Sequence, residues 1–150
     1  MSTEQKKTQQ FLTWTAGAYA FGVPVAHCRE LTRGLRITTV PLAEKHIAGI
    51  ANLRGEIVTI LDFNILLGMD APTTGRAVVR TRSGKGNTTC ILADKIHEIV
   101  SVSESDLHDV PSNLSNIKLE YLSGAFRIGD KLHLIVDAEK IRVARHGIVG

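Results

Sequence analysis

The side chains that could do chemistry in this 150-residue chain are six histidines, two cysteines and a scatter of Ser, Asp, Lys and Arg. His27, His46, His97, His108, His133 and His146 show neither HxxxH nor HExxH spacing, so no helix presents two imidazoles to a metal. His133 falls in the alternating run Lys131-Leu132-His133-Leu134, which reads as one exposed strand face. Cys28 and Cys90 have no CxxC or CxxH neighbour and are expected to be reduced thiols. Ser105-Asp106-Leu107-His108-Asp109 holds the residue types of a hydrolase triad. Such groups must converge from separate rigid elements, however, which five consecutive loop residues do not do. Gly84-Lys85-Gly86-Asn87-Thr88-Thr89 resembles a phosphate loop in composition only. A phosphate loop needs GxxxxGK[ST] between a strand and a helix, and this segment lies between two strand-like runs, as a hairpin turn would. Asp62, Asp94 and Asp137 stand at strand ends, where caps and turns account for them. A different chemistry is offered by Asn52-Leu53-Arg54-Gly55. Asn can bond its own backbone and Gly admits an unusual φ, so a rigid turn projects an Arg able to fork hydrogen bonds to a partner.

The elements that must position these residues read mostly as strands. Residues 10–15 and 19–25 flank a turn at Ala16-Gly17-Ala18, and 47–53 and 56–61 turn at Arg54-Gly55. The segment 24–31 between them fits a short helix or a strand exit. Asp62 precedes the short apolar stretch 63–67 as an N-cap would, and 68–75 is a loop by composition. Residues 77–82, 88–93 and 95–102 follow as strands, and 107–118 is polar and irregular. The runs 119–128 and 131–136 turn at Gly129-Asp130, after which Asp137 precedes a second helical stretch, 138–143.

The second half echoes the first. Gly49 and Asp62 match Gly124 and Asp137 at one common shift of 75 residues, since 124 − 49 = 137 − 62 = 75. A weaker echo pairs His27-Cys28-Arg29-Glu30-Leu31 with Lys95-Ile96-His97-Glu98-Ile99 at a shift of 68, from 98 − 30. Two copies of a strand-rich unit, roughly 10–67 and 76–143, predict an all-β chain. Its expected form is two small barrels side by side with short helical segments, sharing a core or an interface because each is small for independent stability. Barrels would also remove exposed sheet edges.

Composition narrows the function classes. The chain is 43% hydrophobic, too much for a disordered protein, and has no apolar run of membrane-spanning length and no signal-peptide pattern, which points to the cytoplasm. A nucleic-acid-binding β-barrel is the competing reading. It requires exposed aromatics along a basic stripe, and a net charge of +3 with one Trp, two Tyr and four Phe supplies neither.

The run from Ile47 to Asp62, centred on Asn52-Leu53-Arg54-Gly55, closely resembles the signature of the CheW family, the chemotaxis coupling proteins. Phe11-Leu12-Thr13-Trp14, Phe21-Gly22-Val23-Pro24-Val25, Arg29-Glu30-Leu31, Tyr121-Leu122-Ser123-Gly124 and Leu134-Ile135-Val136-Asp137 extend the likeness over a domain at 8–145. The resemblance implies two small five-stranded SH3-like barrels and a non-catalytic adaptor without cofactor or metal. It implies two partners: the cytoplasmic tip of membrane chemoreceptors and the regulatory domain of a CheA-like histidine kinase, with neither nucleic acid nor direct membrane insertion. By the same resemblance, partner contact is expected at Arg54, Glu30, Cys28, Ile99 and Val78. Phe63-Asn64 stands where the family commonly has Leu-Arg, and Cys28 where an aliphatic residue is usual; both departures bear on which partner is bound.

Overall fold

The computed structural model describes residues 7–83 and 88–143. Among the described residues ten strands form two five-stranded sheets. The first holds β1 (Thr8–Ala16), β2 (Tyr19–Pro24), β8 (Lys95–Ser103), β9 (Leu122–Ile128) and β10 (Lys131–Val136), in the order β8-β1-β2-β10-β9. The second holds β3 (Cys28–Arg33), β4 (Ile47–Leu53), β5 (Glu56–Asp62), β6 (Ala77–Arg82) and β7 (Thr88–Ala93), in the order β3-β6-β7-β5-β4. Two short helices, α1 (Phe63–Leu66) and α2 (Ala138–Val143), follow β5 and β10. Among the described residues no helix is long and apolar enough to cross a membrane.

The repeat is real and its register is exact to the residue. In β4–β5, Ile47 faces Leu61, Gly49 faces Ile60 and Leu53 faces Glu56. In β9–β10, Leu122 faces Val136, Gly124 faces Ile135 and Ile128 faces Lys131. Every one of these positions differs by 75, and both hairpins carry a bulge at the same step. Gly49 and Gly124 are needed for the same reason. A Cβ at Gly49 would collide with the Thr38 carbonyl oxygen, and one at Gly124 would press on that of His108. Thr38 and His108 are the residues that bridge to the outer sides of β4 and β9.

The partition into consecutive halves, 10–67 and 76–143, does not hold. Each sheet takes a hairpin from one copy and three strands from the other: β1–β2 join β8–β10, while β6–β7 join β3–β5. The physical reason lies in the connections. Only Asp94 separates β7 from β8, and only a three-residue 3₁₀ turn, Val25–His27, separates β2 from β3. Asp94 alone is shorter than the two-residue turn of a hairpin, so β8 cannot return beside β7 and passes into the other sheet. After the Val25–His27 turn β3 likewise continues in the other sheet. The barrels are also open: among the described residues β8 and β9, or β3 and β4, end their strand orders without pairing to each other. A further difference is local: residues 119–121, expected as strand, form a 3₁₀ turn ahead of β9. The turn expected at 83–87 lies largely outside the described residues, although Arg82 does face Thr88 across β6–β7.

One central core joins the sheets. It takes Trp14, Phe21 and Val23 from the first and Leu61, Val79 and Ile91 from the second. Phe63 of α1 meets Trp14 edge-on at 5.1 Å and Phe21 at 4.7 Å, so a residue that follows the second sheet locks into the first. Aromatic pairs of this kind contribute roughly 0.5–1.5 kcal/mol beyond their burial. Each sheet also encloses a smaller cluster of its own: Phe11, Val102, Phe126 and Ile135 in one, and Ala51, Leu53, Val58, Ile60, Val78 and Cys90 in the other. Trp14 and all four Phe are fully buried, which removes them as a stacking platform for nucleic-acid bases.

His133 is a correction to the expected exposed face. It is 9% exposed, and its ring stacks on Phe126 at 5.0 Å and 9°. Both faces of β10 are covered, Leu134 in the central core and Ile135 in the smaller one, so alternation there marks two interiors.

Candidate docking surface

The β4–β5 hairpin presents Arg54. Arg54 and Gly55 both have positive φ, 54° and 86°, the geometry of a type I′ turn that matches the twist of the flanking strands. The Asn52 side-chain oxygen accepts a hydrogen bond from the Gly55 N–H at 2.7 Å, as its sequence position suggested, and Leu53 anchors the turn in the core. The Arg54 side chain is 81% exposed. It is not without an internal partner, because its Nη2 lies 3.4 Å from Glu30 Oε2, and Glu30 is only 19% exposed. Thr32 Oγ1 also donates to Glu30 Oε2, at 3.3 Å.

Strand β3 therefore brings Glu30 to Arg54, with Cys28 two residues earlier across a bulge. The Cys28 thiol is half-buried against the central core, and burial raises its pKa, which keeps it protonated and unreactive. Ile99 is 54% exposed but lies on β8 of the other sheet, facing Leu12. It occupies the position that Leu31 holds in β3, so the two edge strands β3 and β8 each carry part of the expected set. Val78 is a correction. It is 1% exposed within the second sheet's own cluster, and its side chain is not on the surface.

Two side chains escaped sequence reasoning. Arg80 of β6 donates from Nη2 to both Glu56 oxygens, at 3.0 and 2.9 Å, and to Thr88 Oγ1 at 3.1 Å. Glu30 faces Arg80 across β3–β6. The available signal was a lone Arg in the apolar run Val78-Val79-Arg80, with nothing to say which strand lay beside it. Asn64, by contrast, is no surface residue. It is buried, and its Nδ2 donates to Asp94 Oδ2 at 2.9 Å. Asp94 Oδ1 in turn accepts from the Thr74 and Gly75 N–H groups. Burial works against ionisation of Asp94, but the bonds from Asn64, Thr74 and Gly75 outweigh it and lower its pKa. This departure from the family pattern fastens the loop between the two copies.

Two curled sheets with a shared interior and a charged hairpin tip define a β-sheet scaffold that presents side chains from its turns and edge strands. The chain belongs to the CheW-like family, whose domain matches residues 10–145. It is similar to the chemotaxis protein CheW of Rhizobium meliloti (strain 1021), 26% identical over 134 residues that cover 89% of this chain and 86% of the relative. The chemotaxis protein CheW of Klebsiella aerogenes is 25% identical over 89% of this chain and 81% of its own length. The crystal structure of the scaffolding protein TtCheW from Thermoanaerobacter tengcongensis superposes with a TM-score of 0.81 at 18% identity, covering 95% of this chain and 99% of that one. At that identity the likeness establishes the shared fold.

Proposed function

We propose that this chain, a chemotaxis coupling adaptor by its family, joins the cytoplasmic tip of chemoreceptors to the regulatory domain of a CheA-like histidine kinase and catalyses nothing itself. Its action is to hold two partners in one assembly in the cytoplasm. Arg54, Glu30 and Cys28 form one part of the contact surface and Ile99 another.

The observation that carries this reading is the conformation of Arg54. A left-handed backbone costs a non-glycine residue about 1–3 kcal/mol, and Gly or Asn would make the same turn with less strain. An Arg kept there with its guanidinium in solvent is explained by what the side chain can bind. Arginine is among the residues whose loss most weakens interfaces. Arg54→Ala is expected to weaken binding to the receptor tip or the kinase regulatory domain at least tenfold, the change that ~1.4 kcal/mol produces. Lys restores binding only in part, because it keeps the charge and loses the fork. Arg54→Gly, which also relieves the backbone, is expected to lose binding while melting no earlier than the parent. Titration calorimetry with each partner beside thermal melting makes the comparison. Unchanged affinity for both partners together with early melting would make Arg54 a structural residue.

A further inference from the structure

Arg54, Glu30, Arg80 and Glu56 form a ring of alternating charge in which two sides are ion pairs, the third is a ladder pairing and the fourth is the turn itself. Arg54 pairs with Glu30 at 3.4 Å, Glu30 faces Arg80 across the ladder, Arg80 pairs with Glu56 at 2.9 Å, and Glu56 is separated from Arg54 only by Gly55. The members differ sharply in freedom. The Arg80 side chain is 13% exposed and bonded to Glu56 and Thr88, whereas Arg54 is 81% exposed with a single long contact in the ring. The ring also spans a weak point of the sheet. Strands β5 and β7 pair only from Ile60 and Cys90 onward. Nearer the turn they part around a cleft of about 390 Å³ lined by Glu56, Ile57, Val58, Thr59, Thr88 and Cys90. Arg80 crosses β7 at that end and ties the hairpin tip to β6.

We propose that Arg80 and Glu56 are positioning residues for docking: they fix the hairpin tip and leave Glu30 beside a permanent cation, so that Arg54 can exchange Glu30 for a carboxylate of the partner. This rests on the reading of Arg54 as a partner contact. When Arg54 leaves, Glu30 still faces Arg80 and is still bonded by Thr32, so a half-buried carboxylate is not stranded, the event that makes breaking an ion pair costly. The tip meanwhile stays where it was, which spares the ordering cost of docking on a loose hairpin.

The test is a double-mutant cycle in the full-length protein, titrated with the chemoreceptor tip fragment and with the kinase regulatory domain. Arg80→Met and Glu56→Gln are each expected to weaken binding about fivefold, the change that ~1 kcal/mol makes. In an Arg54→Ala background the same changes should cost no more than about twofold, because nothing is left for them to position. Arg80→Lys should recover part of the loss. Guanidinium NMR of the free protein should show hindered rotation at Arg80 and free rotation at Arg54. Glu56 is 60% exposed, so Glu56→Gln carries the test should Arg80→Met fail to fold. Equal losses in both backgrounds, or none in either, overturn the positioning role while leaving Arg54 as a contact. If Arg54→Ala itself leaves both affinities intact, the parent reading fails and the positioning role falls with it.

Discussion

His133 stands in the ladder where the other sheet has Val58, since 133 − 75 = 58, and that exchange places an ionisable ring inside a small core. Its Nδ1 lies 3.3 Å from the Lys131 carbonyl, and its ring stacks on Phe126. Burial lowers its pKa, opposed by the Lys131 carbonyl contact and reinforced by the charges of Lys131 and His97. A histidine whose folded pKa is depressed leaves the unfolded chain holding more protons as pH falls, so stability is complete above the unfolded value of about 6.5 and is lost below it. His133→Val, which copies the other sheet, is expected to remove this contribution. Melting of the two proteins between pH 7.5 and pH 5 should diverge toward acid, the parent losing more of its melting temperature than the variant. Parallel curves would show that His133 is neutral to folding throughout.

The helices give the same kind of comparison between elements. Asp137 Oδ1 accepts from the Glu139 and Lys140 N–H groups, a cap for α2. Asp62, 75 residues earlier, caps α1 through Ile65 N–H and additionally accepts from the Thr73 backbone N–H and, at 2.6 Å, its hydroxyl. Asp137→Ala should therefore cost about 1 kcal/mol, the ordinary loss of a cap. Asp62→Ala should cost about 2–3 kcal/mol, because a buried cluster of donors loses its acceptor as well. Urea unfolding of both variants measures the difference, and equal losses would mean that the Thr73 bonds contribute nothing. Both caps were legible in the sequence, as were the Gly49 and Gly124 hairpins and the Arg54 turn, because each is set by residues within a few positions of one another. The Glu56–Arg80 pair and the burial of Val78 were not. They depend on which strands lie side by side, and a repeat hides that by construction: β7 and β2 are equivalent, so either satisfies β5 or β10 in the same parallel register. The length of the β7–β8 link breaks the tie. Asp94 alone, between Ala93 and Lys95, is too short a link for β7 and β8 to be neighbours in one sheet.

At the scale of the molecule, that exchange makes the two copies depend on each other. Removing β6 and β7 would leave the second sheet as the β4–β5 hairpin and a stray β3; removing β1 and β2 would leave the first as β9–β10 and a stray β8. Isolated hairpins are marginal in water, and three or more strands over an apolar face are needed for independent stability. The central core is divided as well, with Trp14, Phe21, Leu61 and Phe63 in the first copy and Val79, Ile91, Leu134 and Ile141 in the second. Cutting the chain inside the 68–75 loop should therefore yield two fragments that are each unfolded alone, or that self-associate by the same exchange. Mixed in equal amounts, they should form a heterodimer with the circular dichroism and the dispersed NMR spectrum of the intact chain. Two independent barrels at 10–67 and 76–143 would behave otherwise, each folding as a monomer and ignoring the other. Sedimentation of each fragment separates these outcomes, and a folded monomer from either one would contradict the interleaved topology. The same interdependence bears on docking. The two edge strands β3 and β8 come one from each copy, so a partner that contacts both Arg54 and Ile99 would find them fixed relative to each other by the shared core, with no hinge between two separate barrels to absorb the strain.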